Sequence, residues 1–332
     1  MVLPQEAVRM ITTVTLNTAM DRSLVVPNFL VGRRHRASSG VTLPGGKGVT
    51  IARALRRLGS PVIATGMAGG LTGENIVARL TDEGILNDFV RIAEPSRTST
   101  AVIDPVNGVH TEINEYGPRV ATREVDLLLE KLRYLSRASK CLVLAGSLPR
   151  DVEPDVYQRI LRGLQPQRLF TVVTQPDDTE TLRLALQAEP SLTVVDQREA
   201  EDFAGNEFTS DEDFVVAMES MARIGGQSIV VLHSGGCVGR IKQGKTTTWH
   251  SAEFDPVEAV SQLGFADCFV AGALHATFDD RPLEERYTLA IGTGLANNRA
   301  LGAGVFEKGD ATRLQKEVRL RLLEPVPADI VE

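Results

Sequence analysis

The sequence predicts an α/β fold built on a mostly parallel central sheet, and three observations carry that expectation. Strand-length apolar runs occur at Ile11–Leu16, Pro61–Thr65, Cys141–Ala145, Leu169–Val173, Leu192–Val195 and Ile229–Leu232. Between them, Val49–Leu58, Asn75–Asp82, Thr122–Ser136, Asp155–Leu164, Thr179–Gln187 and Asp211–Arg223 carry apolar residues at helical spacing. Several of the runs are continuously apolar, as strands covered on both faces are. A βαβ succession of this kind makes a parallel sheet sandwiched between helices.

Residues Thr100–Tyr116 interrupt the rhythm. Alternating segments Thr100–Ile103 and His110–Asn114 flank Asn107-Gly108, a two-residue hairpin signal. Together with the extended segment Ser23–Thr42, this hairpin predicts a small β layer beside the main sheet, placed to act as a lid. No low-complexity linker separates lid from body, so the expectation is one domain over about residues 8–325, with the lid formed by inserted segments 17–42 and 97–118.

Composition excludes several classes. At 332 residues, 42% hydrophobic and 24% charged, the chain reads as an ordinary globular protein. No apolar run approaches a membrane span, and the first residues lack a basic-then-apolar signal pattern, so a cytoplasmic protein without membrane contact is expected. The net charge of −7 argues against nucleic-acid binding while leaving room for a local basic pocket. Cys141, Cys237 and Cys268 are odd in number and far apart, as reduced thiols are, and the five histidines show no metal-ligand spacing.

Two glycine turns aim at helix starts. Gly264-Phe265-Ala266-Asp267 runs into the small, apolar stretch Cys268–Leu274. Asp267 there is either a helix N-cap or a base able to take a proton from a substrate hydroxyl beside N–H groups that hold a phosphoryl group. Gly45-Gly46-Lys47-Gly48 precedes Val49–Leu58 and serves either tight packing or a ligand. It is not a Walker A loop, because Val41 stands where Gly is required and Gly48 follows the lysine. Nor is Gly66-Met67-Ala68-Gly69-Gly70 a dinucleotide fingerprint.

In order, Asn17–Asp21, Gly45–Gly48 with Ile51–Leu55, and Thr65-Gly66 with Gly69-Gly70 and Gly73 resemble the N-terminal half of the ribokinase-like carbohydrate kinases. Ile113–Pro118 and Gly146–Pro149 narrow the resemblance to the phosphofructokinase B branch, which includes 1-phosphofructokinases and tagatose-6-phosphate kinases. Ser234, Gly236, Gly239 and the Gly264–Asp267 turn continue it, so that it spans about residues 11–305.

The resemblance implies a three-layer ribokinase-like fold with a small β-sheet lid. It also implies an ATP- and magnesium-dependent kinase that phosphorylates a sugar phosphate of the fructose-1-phosphate, fructose-6-phosphate or tagatose-6-phosphate class. Asp267 falls on the family's general base, with Gly264, Phe265 and Ala266 as its turn. Asn17, Asp21, Gly45, Gly46, Lys47, Thr50 and Ser147 fall on sugar-side positions. Arg97 falls on the arginine that holds the substrate's phosphate, for which a forked cation is well suited. Arg36 and Arg33 in the lid segment are expected to add to that pocket. The nucleotide side is expected along Arg198, Glu201, Ser234, Gly236, Gly239 and Asn297, with Glu201 acting indirectly on magnesium. A lid of this type also implies a homodimer formed through it.

Four departures stand out. Phe265 and Ala266 replace the Ala-Gly pair of the family's Gly-Ala-Gly-Asp turn, and the Cβ of Ala266 is expected to penalise any positive φ the second glycine supplied. The family's Lys-Pro-Asn-x-x-Glu segment is matched to Asp196–Glu201, which puts Arg198 in place of Asn. Thr50 replaces a sugar-binding Asn, and Thr174 stands near a usual Asp. These leave a second reading open, a catalytically impaired sugar-phosphate-binding protein of the same fold.

Overall fold

The computed structural model describes residues 10–256 and 258–323. The ends of the expected domain, 8–9 and 324–325, lie outside the described residues. The chain begins β1 (Met10–Thr15), β2 (Ala19–Val25), β3 (Ser39–Gly45), α1 (Lys47–Leu58), β4 (Val62–Gly69), α2 (Gly70–Asp82), β5 (Leu86–Ile92), β6 (Arg97–Asp104) and β7 (Val109–Asn114). It continues α3 (Thr122–Leu135), β8 (Ser139–Ala145), α4 (Val156–Leu164), β9 (Phe170–Thr174), α5 (Thr179–Leu186), β10 (Leu192–Asp196), α6 (Gln197–Ala204) and α7 (Asp211–Ile224). It ends with β11 (Ser228–His233), β12 (Gly236–Gln243), β13 (Thr246–Glu253), α8 (Phe265–Phe278), α9 (Leu283–Asn297), α10 (Lys308–Leu314) and β14 (Arg319–Leu323).

The large sheet has the order β14-β13-β12-β11-β10-β9-β8-β1-β4-β5. From β5 to β11 every pairing is parallel, and β12, β13 and β14 add antiparallel strands at one end. The continuously apolar strands divide their side chains between two faces at period two. Val143, Val172, Val194 and Val230 pack with α1, α2, α8 and α9. Leu142, Leu144 and Val173 pack with α3 and α4, while Val195, Ile229 and Val231 pack with α5, α6 and α7. The result is the expected three-layer fold with a mostly parallel sheet.

The second sheet, β3-β2-β6-β7, stands apart from the first. Its register places Leu43, Asp21, Ser99 and Asn114 in one row across four strands, and Val41, Ser23, Ala101 and Glu112 in the next. Both rows line one cavity. Alternation therefore gives the lid an inner, ligand-facing side.

Several elements escaped the sequence pattern. The edge strand β5 mixes Asn87, Asp88 and Arg91 with apolar residues because one side of it has no strand neighbour, and Thr-rich β13 looks like a loop in isolation. Helix α8 starts at Phe265, so the segment expected as a turn before the helix is already its first turn. Among the described residues, no helix is long and apolar enough to cross a membrane.

Candidate active site

The chain order reverses at β1: the connection through β4 and β5 builds outward on one side, and β8 through β11 on the other. At such a switch point the carboxyl ends of neighbouring strands leave a crevice where ligands bind. Here the crevice lies between the ends of β1 and β8 and is roofed by the lid. It forms a cavity of about 250 Å³ lined in part by Asn17, Asp21, Gly46, Lys47, Thr50, Arg97, Ser147 and Gly264. Residues spread over nearly 250 positions thus converge.

On the floor, Asn17 Nδ2 donates to Ser147 Oγ at 3.3 Å, while the buried Asn17 Oδ1 has no protein partner. Gly46 caps α1 with φ 95°, which lets Lys47 start the helix at the cavity. In the lid, Asp21 lies so close to Gly45 that a Cβ there would meet its Oδ2 at 1.8 Å, so only glycine fits. Burial pushes the Asp21 carboxyl above its usual range, opposed by Arg97 and the Gly46 N–H. Arg97 donates from Nη1 to the Glu115 carbonyl at 3.1 Å and keeps a buried Nε without a protein partner.

At the start of α8, Gly264 is the N-cap and is left-handed at φ 83°; a Cβ there would also meet Ala303 at 2.7 Å. Phe265 and Ala266 both have negative φ, so the penalty expected for Ala266 does not arise: the one position that needs glycine still has it. The Phe265 N–H donates to Gln262 O at 3.3 Å, which leaves the first-turn N–H groups of Ala266 and Asp267 for a ligand. The Phe265 ring turns away, toward Gly294 of α9 and the Phe254 ring 6.0 Å off.

Asp267 is the third residue of α8, not its cap, and makes no capping bond, so the cap-only reading fails. Its side chain is buried, and Oδ1 has no protein partner. Burial pushes its pKa up to about 6, opposed by the Lys47 ammonium and aided by Asp21. A carboxylate in this state holds and releases protons near neutrality.

The pfkB family carbohydrate kinase profile matches residues 12–305. The chain belongs to the pfkB family of carbohydrate kinases. It is 30% identical over 311 residues to 1-phosphofructokinase of Borreliella burgdorferi, covering 94% of this chain and 98% of that protein. With 1-phosphofructokinase of Bacillus subtilis it shares 30% identity over 287 residues, 86% of this chain and 92% of the relative. The structure of phosphofructokinase-2 from Escherichia coli in complex with substrates and products superposes with a TM-score of 0.82 at 25% identity, covering 92% of this chain and 98% of that one.

On the nucleotide side of this pfkB-family kinase, none of the six expected residues lines the cavity. Glu201 spends Oε1 on Gln197 Nε2 and the Phe208 N–H, at 2.8 and 2.9 Å, and does not line the cavity. Its neighbour Glu199 is the carboxylate turned inward: Oε1 accepts from the Asp177 N–H and Oε2 from the Asp196 N–H, both at 3.1 Å. Burial pushes Glu199 up to about 7, Asp196 adds to this, and Lys47 is among the groups that oppose it. The Asn-x-x-Glu spacing is matched by Asp196 and Glu199, two residues before Arg198 and Glu201, and Arg198 projects from the exposed part of α6. Gly236 and Gly239 lie inside β12, where the backbone closes on Ala252 O and the Tyr287 hydroxyl, so their role is packing. Ser234 stays in the turn before β12, outside the cavity. Asn297 is fully buried and occupied at both ends, donating to Leu263 O and accepting from the Gly304 N–H, each at 2.8 Å.

Arg36 and Arg33 are exposed in the stretch between β2 and β3 and do not reach the cavity. In their place the cavity gains Arg53 and Asp177, which sequence reasoning passed over. Arg53 sits on the buried face of α1, a position where a charge demands partners, and that was a readable signal. For Asp177 no local pattern existed.

Proposed function

We propose that this kinase transfers the γ-phosphoryl of ATP to a hydroxyl of a sugar phosphate of the fructose-1-phosphate, fructose-6-phosphate or tagatose-6-phosphate class, with Asp267 as general base. The observation that carries the proposal is the Asp267 carboxylate, buried three residues beyond the cavity-lining Gly264 and coupled electrostatically to the cavity residues Lys47 and Asp21, with one unpartnered oxygen and a pKa raised to about 6. In its charged form it takes the proton of the acceptor hydroxyl. The unpaired N–H groups at the start of α8 favour phosphoryl oxygens, and Lys47 adds a positive charge beside the base. Asp21 accepts hydrogen bonds from sugar hydroxyls, and Arg97 presents a fork to the existing phosphate.

A magnesium ion fits the donor set in a limited way. Among the described residues, no cluster of three or more His, Cys, Asp or Glu would hold a metal alone. Magnesium is commonly held by one or two carboxylates plus nucleotide phosphates, and Glu199 is the inward carboxylate suited to this. When bound, the ion neutralises charge on the transferred phosphoryl group.

The impaired-protein reading is not supported, since Ala266 needs no positive φ and Arg198 stands clear of the cavity. Leu30, Val106, Val109 and Ile113, exposed on the lid, support a homodimer formed through it. Incubation with Mg-ATP and a panel of hexose phosphates, fructose 1-phosphate first, is expected to release ADP, and Asp267→Asn to slow that release by roughly 10² to 10⁴. Absence of ADP with every acceptor would overturn the proposal.

A further inference from the structure

Among the charged residues that line the cavity and that the proposed reaction does not use is Asp177. Asp177 stands in the connection between β9 and α5 and lines the cavity opposite the lid. Its backbone is left-handed at φ 61°, as is that of Gln175 at φ 45°. Such conformations cost energy outside glycine and persist where surroundings enforce them. Three contacts do so here. The Gln175 N–H donates to Val194 O at 3.2 Å, and the Asp177 N–H to Glu199 Oε1 at 3.1 Å. Asp178 Oδ2 then accepts from the Thr181 N–H at 2.7 Å and caps α5. Asp177 is therefore held in place although it is exposed.

Across the cleft is Arg97, whose guanidinium lines the same cavity from the first position of β6. Asp177 acts on it electrostatically, with Asp21 and Glu115, and its Nε lacks a protein partner. We infer that Asp177 is a specificity residue that serves as a counter-charge to Arg97 in the free enzyme and opposes the phosphate monoester that binds there. The inference rests on Arg97 holding the substrate's phosphate. A phosphate dianion at Arg97 binds against the repulsion of a carboxylate fixed on the body of the enzyme, while an uncharged sugar gains nothing from Arg97. Asp177 thereby weakens phosphate binding and sets how strong the phosphate's own contacts must be.

The test uses Asp177→Asn, with Asp177→Gly as a second variant that suits the left-handed backbone. Binding of inorganic phosphate and of fructose 1-phosphate is measured by calorimetry, independently of turnover. Both variants are expected to bind about two- to fivefold more tightly, the range of a solvent-screened ion pair. The gain is expected to vanish in an Arg97→Gln background and to shrink at high salt. In turnover, KM falls while kcat changes little. Weaker binding in the variants would overturn the inference, as would an equal effect with and without Arg97, or no binding by parent and variants alike. Failure of the kinase reading shows separately, as ADP release absent despite phosphate binding.

Discussion

Asn297 Nδ2 donates to the carbonyl of Leu263 at 2.8 Å, fastening the end of α9 to the residue just before the turn that opens α8. Its Oδ1 at the same time accepts from the Gly304 N–H at 2.8 Å. One buried amide thus holds both walls beside Gly264, whose nearest contact, Ala303, belongs to the second wall.

Asn297→Ala is expected to leave two buried backbone groups unpaired, at a cost of about 1–3 kcal/mol for each. Because the amide acts through the α8 start, kcat should fall more than KM rises. Urea unfolding and steady-state kinetics on the same variant check both effects.

Asp267 makes stability and activity depend on pH in opposite directions. Its native pKa of about 6 lies above the 3.8 of a free aspartate, so between these values the folded protein keeps a proton that the unfolded chain has lost. Stability from this group is therefore full only below about pH 3.8, falls as pH rises to about 6, and is flat above. The total is about 3 kcal/mol. Activity should instead rise through pH 6 to a plateau, because the charged form is the base. Asp267→Asn should lose roughly 10² to 10⁴ in rate. Denaturation at pH 8 is expected to find this variant more stable than its parent.

Arg53 donates from Nε and Nη2 to Glu83 at 2.5 and 3.0 Å and from Nη2 to Pro44 O at 2.8 Å. Its side chain is 4% exposed and that of Glu83 27%. Arg53→Met should destabilise by about 1–3 kcal/mol, because it leaves the Pro44 carbonyl and the part-exposed Glu83 carboxylate without their donor. Arg53→Lys is expected to recover only part of this, since a single ammonium cannot reproduce the fork. Chemical denaturation at pH 7 distinguishes the two.

A homodimer through the lid would cover Val109 and Ile113 of the edge strand β7. Replacing both by Lys should shift sedimentation toward the monomer and leave the unfolding midpoint of dilute protein nearly unchanged.

The sugar half of the site was legible because its residues sit in short turns whose glycines are forced by contact: Gly45 against Asp21, and Gly46 at the α1 cap. The nucleotide half was not. Its glycines in β12 answer to Ala252 and Tyr287, partners far off in the chain, and Asn297 answers to Leu263. Arg36 looked like a pocket residue by position in the lid segment, but it falls where that segment leaves the sheet.

By itself the sequence determined the parallel α/β architecture and a small β layer beside it, since both follow from local periodicity and turn signals. Asp267 as the candidate base was also readable, through the order of its motif among the others. Only the tertiary structure decided which glutamate turns toward the Asp177 loop. Glu199 and Glu201 are two residues apart, and on a helix that is about 200° of rotation, so one points in and the other out. The phase depends on where α6 begins, and Asp196 sets it by capping Glu199. Asp177 and Arg97 likewise line one cavity only because the loop after β9 and the first residue of β6 are brought together by the fold.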